Sequence, residues 1–231
     1  MNASPLPYID RPENLTDRVL HAIRDSIVSG ALAAGSRVSE AQVASMLNVS
    51  KTPVREALLR LRHVGLVEPC ERGLRVVRPS IRGIRDAYEF RAGIERSSSF
   101  YAANRADAEA REQFVMLAHK SVKAAEAHDA ATFRGHDRSF HRAIAQASGN
   151  SVLAEAVDDS LVLTSVLRER DVPPSQDSIN CAHEHVAIAQ AILAGQAEKA
   201  GELMSEHVLH VMAIVLAARP VADDGQPELN P

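Results

Sequence analysis

The sequence predicts a mainly α-helical protein in two parts: a three-helix head closed by a short β-hairpin, then an antiparallel all-helical bundle. Three observations carry this. Aromatic residues make up only 3% of the 231 residues and Trp is absent, while Ala, Leu and Val abound. That balance favours helices over an all-β sandwich or barrel. Apolar residues recur at helical spacing along most of the chain, and a strand–turn–strand pattern is confined to residues 66–77. Charge is also unevenly divided. Residues 1–80 hold 11 Lys and Arg against 8 Asp and Glu, a net +3, and the remainder 15 against 22, a net −7. A basic first third on an acidic body suggests that one part meets an anion and the other does different work.

Composition excludes several classes. With 45% hydrophobic and 24% charged residues the chain is globular, long enough for one large or two modest domains. The longest unbroken apolar run, Val211 to Ala218, is far short of a bilayer span. The opening MNASPLPYIDRPEN lacks the basic-then-apolar architecture of an export signal. Cys70 and Cys181 stand far apart without CxxC spacing, which argues against a disulfide framework or a cysteine zinc site. The expectation is a soluble, cytoplasmic protein with no membrane partner.

The elements of the head follow in order. Leu15, Val19, Ile23 and Ile27 mark a first helix closed by Gly30. A loop from Gly30 to Val38 leads to a short helix from Ser39 to Leu47, and Asn48-Val49-Ser50 turns the chain. A third helix buries Val54, Leu58 and Leu61 and ends at Gly65; Ser50 or Thr52 can cap it, and Pro53 suits its first turn. Leu66-Val67-Glu68, a turn at Glu71-Arg72-Gly73, and Leu74 to Val77 then form a hairpin "wing". Two helices on a tight turn, followed by a wing, make a winged helix-turn-helix.

The chemistry of this head suits duplex DNA. Hydroxyls and backbone amides at Ser50, Lys51 and Thr52 can hold phosphates at a helix N-terminus, while Arg55, one turn further in, can reach a base edge. Arg37, Arg72 and Arg75 would grip flanking backbone or minor groove. The bland reading is a three-helix packing module with a solvated basic face.

The stretch VSKTPVREALLRLRHVGLVEP resembles the recognition-helix signature of GntR-family bacterial transcription regulators, and SGALAAGSRVSEAQVASML resembles the stretch that precedes it. The resemblance spans about residues 13–79, with Lys51 where Arg is usual and Ala34 where Pro is usual. A lysine is a point charge rather than a bidentate fork, so the contact at 51 is expected to be less base-selective. The resemblance implies that Ser50, Lys51, Thr52 and Arg55 face DNA, assisted by Arg37 and the wing tip near Gly73.

After Pro79-Ser80 the pattern is helical throughout. Segments are predicted over Ile81–Arg105, Ala108–His128, Ala130–Ser148, Ser151–Arg170, Asp177–Ala194 and Ala197–Ala218, with a cap, proline or glycine at each break. The expected domains are an extension over 1–12, the winged helix-turn-helix over 13–79, an all-helical bundle over 80–219 and a disordered tail over 220–231.

Four polar residues interrupt the apolar stripes of this bundle. Asp137 and His141 fall i, i+4 between Phe133, Phe140 and Ile144; His185 lies in line with Ile188 and Ile192; His207 stands between Met204 and Val211. A carboxylate and three imidazoles thus point inward from three helices. A divalent metal is the strongest partner for such a buried set, and Zn, Ni, Co or Mn all suit it. The bland alternative is a set of hydrogen-bonded core histidines, and a shifted helical phase would make His136 or His210 the ligands instead.

HDRSFHRAIAQASGN and the paired histidines of EHVAIAQAILAG…MSEHV resemble the FCD domain, the effector-binding bundle of the FadR-type subgroup of GntR regulators. Ser151 and Gln196 depart from residues frequent in that domain, and neither is a proposed ligand. The resemblance implies a metal on Asp137, His141, His185 and His207. Arg91-Ala-Gly-Ile-Glu95 resembles the domain's first-helix R-x-x-x-E pattern, which makes Arg91 the candidate clamp for a small carboxylic acid effector. The plainer reading of Arg91 and Glu95 is a surface i, i+4 ion pair.

The expected function is therefore that of a ligand-responsive, homodimeric transcriptional regulator, a repressor rather than an enzyme, bound to a near-palindromic double-stranded operator. The alternative is an α-helical metal-dependent hydrolase, kept in view by the His136-Asp137 doublet, which is reminiscent of HD-type phosphohydrolases. Such enzymes need a further upstream His and a downstream Asp that the sequence does not place convincingly.

Overall fold

The computed structural model describes residues 15–78, 80–171 and 177–218. The chain divides into two compact units at Arg78/Pro79.

The first unit holds α1 (Leu15–Val28), α2 (Glu40–Leu47) and α3 (Lys51–His63), with strands β1 (Arg37–Val38), β2 (Val67–Cys70) and β3 (Gly73–Val76). Val19, Ile23 and Ile27 of α1 and Val54, Ala57, Leu58 and Leu61 of α3 are each at most 2% exposed and form the core. Burial of a large apolar side chain contributes roughly 1.5–3 kcal/mol, which fixes the rotation of α3 and so the residues it leaves outside. The Ser39 hydroxyl caps α2 by accepting from the Gln42 amide at 3.2 Å. Asn48, at φ 52°, ends α2 in the left-handed conformation that asparagine tolerates. Ser50 has the extended backbone of an N-cap, but its side chain makes no cap hydrogen bond.

β3 lies between β2 and β1 in an antiparallel sheet. Cys70 pairs with Gly73 across a turn formed by Glu71 and Arg72, and Gly73 has φ +122°. β1 departs from the loop expected over Gly30–Val38. Two residues are too few to show a period; the strand forms because Val38 is buried and because Gly35 and Ser36 exchange backbone bonds with Val76 at 2.8 and 2.9 Å.

The second unit contains α4 (Ile81–Arg105), α5 (Ala108–Glu126), α6 (Ala130–Ala147), α7 (Ser151–Asp171), α8 (Asp177–Leu193) and α9 (Ala197–Ala217). Each begins where its sequence signal lies. Ser80, Asp107 and Asp129 accept from the amides of Gly83, Ala110 and Thr132 at 3.0, 2.8 and 3.1 Å. α5 ends two residues before the predicted His128, because His128 adopts φ 55° while the amides of His128 and Asp129 bond back to Ala125 and Ala124.

Short connections between packed neighbours impose antiparallel pairs in this bundle. Tyr88, Phe114, Phe133 and Phe140 fill its core. α4 and α9 approach closely at Gly201, where a Cβ would lie 3.0 Å from the Arg96 carbonyl oxygen. Arg111 ties two helix ends together, donating to the carbonyls of Ala103 at 2.7 Å, Ala106 at 3.0 Å and Ile192 at 2.6 Å. α9 is long and apolar enough by composition to cross a membrane, although no unbroken apolar run reaches that length; its buried residues, Met204, Val208, Val211 and Val215 among them, belong to the bundle core. The extension over 1–12, the Pro173-Pro174 break and the tail over 220–231 lie outside the described residues.

Candidate nucleic-acid interface and candidate metal centre

Ser50, Lys51, Thr52 and Arg55 are all exposed on the first turns of α3, because Pro53, Val54, Ala57 and Leu58 take the inner face. The uncapped amides there suit a phosphate. Arg72 and Gly73 are exposed at the tip of the wing, and Arg37 on β1 joins them, its Nε 4.0 Å from where a Gly73 Cβ would stand. Arg75 is half-buried and donates to Glu68, its cross-strand partner, at 2.6 Å. Arg55 is not a bare cation. Its Nε and Nη2 donate to the Glu40 carboxylate at 3.0 Å each, a partner 15 residues back that no local pattern announces.

In the bundle the four stripe residues converge. Asp137, His141, His185 and His207 are all buried, and a ligand atom from each lies within 4.8 Å of the others. His136 does not join them, and His210 is turned to a different neighbour.

The outer nitrogens fix the inner ones. His207 Nδ1–H donates to Glu184 at 2.6 Å, and His141 Nδ1–H donates to Glu95. His185 Nδ1 sits 3.4 Å from Ser121 Oγ, whose own proton goes to the Ala118 carbonyl at 2.7 Å, so Ser121 accepts from the ring. With the proton on Nδ1, the neutral His185 and His207 each present an Nε2 lone pair to the interior. His185 Nε2 and His207 Nε2 face each other at 3.2 Å, and Asp137 Oδ1 is 3.6 Å from His185 Nε2. His141 Nε2 is buried and finds no hydrogen-bond partner among the described residues.

Electrostatics keep these groups in ligand form. Burial, reinforced by the neighbouring imidazoles, lowers His185 and His207 well below the ordinary histidine value, so both are neutral at pH 7. Burial alone would raise the Asp137 carboxyl, but the Arg168 guanidinium, 3.2 Å away, holds it well below the usual carboxylate range. Burial likewise works against Glu95, and Arg91 and His141 bring it down to about 2. Three nitrogens and one carboxylate oxygen, with an orphaned inward nitrogen among them, fit a divalent metal.

Arg91 and Glu95 do pair i, i+4, but inside the bundle rather than on its surface, at 4% and 2% exposure. Arg91 donates from Nε to Glu95 at 2.5 Å and from Nη1 to Thr164 Oγ1 at 3.1 Å. Sequence reasoning missed Glu95 as the support of His141, Glu184 as the support of His207, and Arg168, which lies over the Phe133 ring. A second group, Cys181, Glu184 and His210, also has metal-ligand types close together. It is a poor cation site: burial pushes the Cys181 thiol up to about 12, and both Glu184 oxygens already serve imidazoles.

Comparison with known proteins decides the family. The model of the bacterial regulatory proteins of the gntR family matches residues 15–73, and that of the FCD domain matches residues 86–210. The chain belongs to the GntR family, with a C-terminal FCD domain. A probable D-xylose utilization operon transcriptional repressor from Paenarthrobacter nicotinovorans is 30% identical over 199 residues, covering 82% of this chain and 85% of its own. A putative L-lactate dehydrogenase operon regulatory protein from Escherichia coli is 28% identical over 227 residues, covering 87% and 86%. The solved E. coli McbR/YncC shares the fold, with a TM-score of 0.74 at 23% identity over 87% of this chain and 97% of that one. This GntR chain is accordingly a DNA-binding transcriptional regulator and not an enzyme, and the hydrolase alternative is set aside.

Proposed function

We propose that this GntR regulator is a cytoplasmic homodimer that represses its target by reading a near-palindromic operator, and that a small carboxylic acid bound beside a metal controls it. The division of labour follows the two units: residues 13–79 bind DNA and residues 80–219 bind metal and effector. Ser50, Lys51 and Thr52 engage phosphates, Arg55 reads a base edge, and Arg37, Arg72 and the Gly73 turn grip flanking DNA. The repressor reading is supported by the relative described as a transcriptional repressor.

One observation carries the bundle's half of this proposal. Three histidines, each held at its outer nitrogen, bring ligand atoms within 4.8 Å of one another and of an ionised carboxylate. Left to themselves these groups repel; a divalent cation, Zn first and Ni, Co or Mn next, reconciles them. Asp137, His141, His185 and His207 would hold it, and its open positions would accept a carboxylate. Arg91, already oriented by Glu95 and Thr164, offers the guanidinium that clamps that acid. The acid acts on DNA binding only to the extent that it prefers one arrangement of the paired heads.

A thermal-shift screen of metal-loaded and chelator-stripped protein against small organic acids tests this. An acid at 100 times its Kd adds about 2.7 kcal/mol, a shift of several degrees for a chain of this size. Stabilisation by one acid of the metal-loaded form alone supports a shared site. Equal shifts with and without metal would remove the metal from effector binding.

A further inference from the structure

We infer that Glu40 is a specificity-determining residue of the DNA head, holding Arg55 ready to read a base and keeping it from binding phosphate indiscriminately. The inference rests on the reading of α3 as the recognition helix. Glu40 is the first residue of α2, where an anion is favoured by the amides and dipole of the helix start. Its carboxylate takes the Nε/Nη2 edge of Arg55: Nε donates at 3.0 Å to one oxygen and 3.2 Å to the other, and Nη2 donates at 3.0 Å. A guanidinium has a second such edge, formed by Nη1 and the other Nη2 proton. That edge has the fork geometry that matches guanine O6 and N7.

Two consequences follow, and both raise discrimination. An Arg55 held along one edge has already lost much of its rotamer freedom, so less is lost when the second edge meets a base. Arg55 is 63% exposed and Glu40 36%, so the pair contributes little to folding and its outer edge is open to the ligand. Second, the Glu40 charge partly neutralises Arg55 and opposes approach of a phosphate. A non-specific complex, which draws its affinity from phosphates alone, is weakened by this, while a base contact made through the outer edge is not. The Glu40 carboxyl is held ionised by the Arg55 hydrogen bonds, so the device operates throughout the neutral range.

The test compares wild type, Glu40→Gln, Arg55→Ala and the double variant. Each is titrated against an operator duplex selected by the wild-type protein from a randomised pool, and against a scrambled duplex of the same composition, over a salt series. Glu40→Gln is expected to lower the operator-to-scrambled affinity ratio by about 5–10-fold. It should also tighten scrambled-duplex binding and steepen its salt dependence by about one unit of log K per log salt, as freed Arg55 meets phosphate. In the Arg55→Ala background Glu40→Gln should leave the ratio unchanged. Replacing operator guanines one at a time by 7-deazaguanine should penalise wild type at the Arg55 contact and Glu40→Gln much less. If Glu40→Gln tightens both duplexes by the same factor, Glu40 is a plain repelling charge and the inference is overturned while the recognition helix stands. If Arg55→Ala leaves the ratio unchanged, the recognition-helix reading itself fails.

Discussion

The two units of this regulator use the same chemical pair in opposite ways. In the head, Arg55 and Glu40 meet in water; in the bundle, Arg91 and Glu95 meet at 5% and 2% side-chain exposure. An exposed pair is worth at most about 1 kcal/mol, so little of the fold's stability rests on it. A buried pair cannot be opened without stranding a charge. The head therefore keeps Arg55 at the surface, one edge on Glu40 and the other open to DNA. The bundle spends its charges on posture, since Arg91 holds Glu95, Glu95 holds His141, and His141 turns its bare nitrogen inward. Position relative to solvent, rather than residue type, sets what each pair costs to open.

The sharpest way to break that contrast is to cut one member of each pair. Arg91→Ala strands a buried Glu95 and is expected to destabilise the metal-stripped protein by about 3–5 kcal/mol in denaturant unfolding. Arg55→Ala should leave folding within about 0.5 kcal/mol of wild type. Its cost falls on function: about 1–3 kcal/mol of operator affinity in a gel-shift titration.

The supports of the proposed metal centre come next in size. Glu184→Gln removes the carboxylate that fixes the His207 tautomer and should weaken metal binding about 10–100-fold in a chelator competition. His210, bonded to the same carboxylate but half-exposed and outside the four-residue group, should matter little: His210→Ala is expected to stay within a few-fold of wild type.

Acidity should separate the units as well. His185 and His207 are depressed in the folded state, so between the folded value and the ordinary 6.5 the unfolded chain binds more protons. Their contribution is present above about pH 6.5 and is lost as pH falls below it. Glu95, depressed from 4.5 to about 2, adds a second loss across that lower window. Chelator-stripped protein followed by urea unfolding should thus weaken already between pH 6.5 and 5, and a bound metal should delay that loss by competing with the protons. The smallest expected effect lies in the head: Lys51→Ala should weaken operator and scrambled DNA alike and reduce the salt slope by about one.

Much of this was legible in the sequence because it is written locally. Ser80, Asp107 and Asp129 announce helix starts by short side chains that bond three residues on, and the structure begins α4, α5 and α6 there. Asp137, His141, His185 and His207 stood out because polar groups in an apolar stripe break a period. What escaped was set by distance along the chain. β1 is two residues long and exists through its pairing with β3. His128 takes a left-handed conformation that a glycine would have advertised. Glu95, Arg168 and Glu184 are polar residues on helices, and only packing against α6 and α9 shows that their charges serve the centre.

The central claim is that four side chains of the bundle form one metal centre. Titrating chelator-stripped protein with Co2+, followed by visible absorption, tests it directly. The account predicts one equivalent per chain, with d–d bands but no thiolate-to-metal charge transfer near the ultraviolet edge, and loss of the signal in His141→Ala. Absence of stoichiometric binding, an unchanged spectrum in His141→Ala, or a charge-transfer band abolished by Cys181→Ser would contradict it.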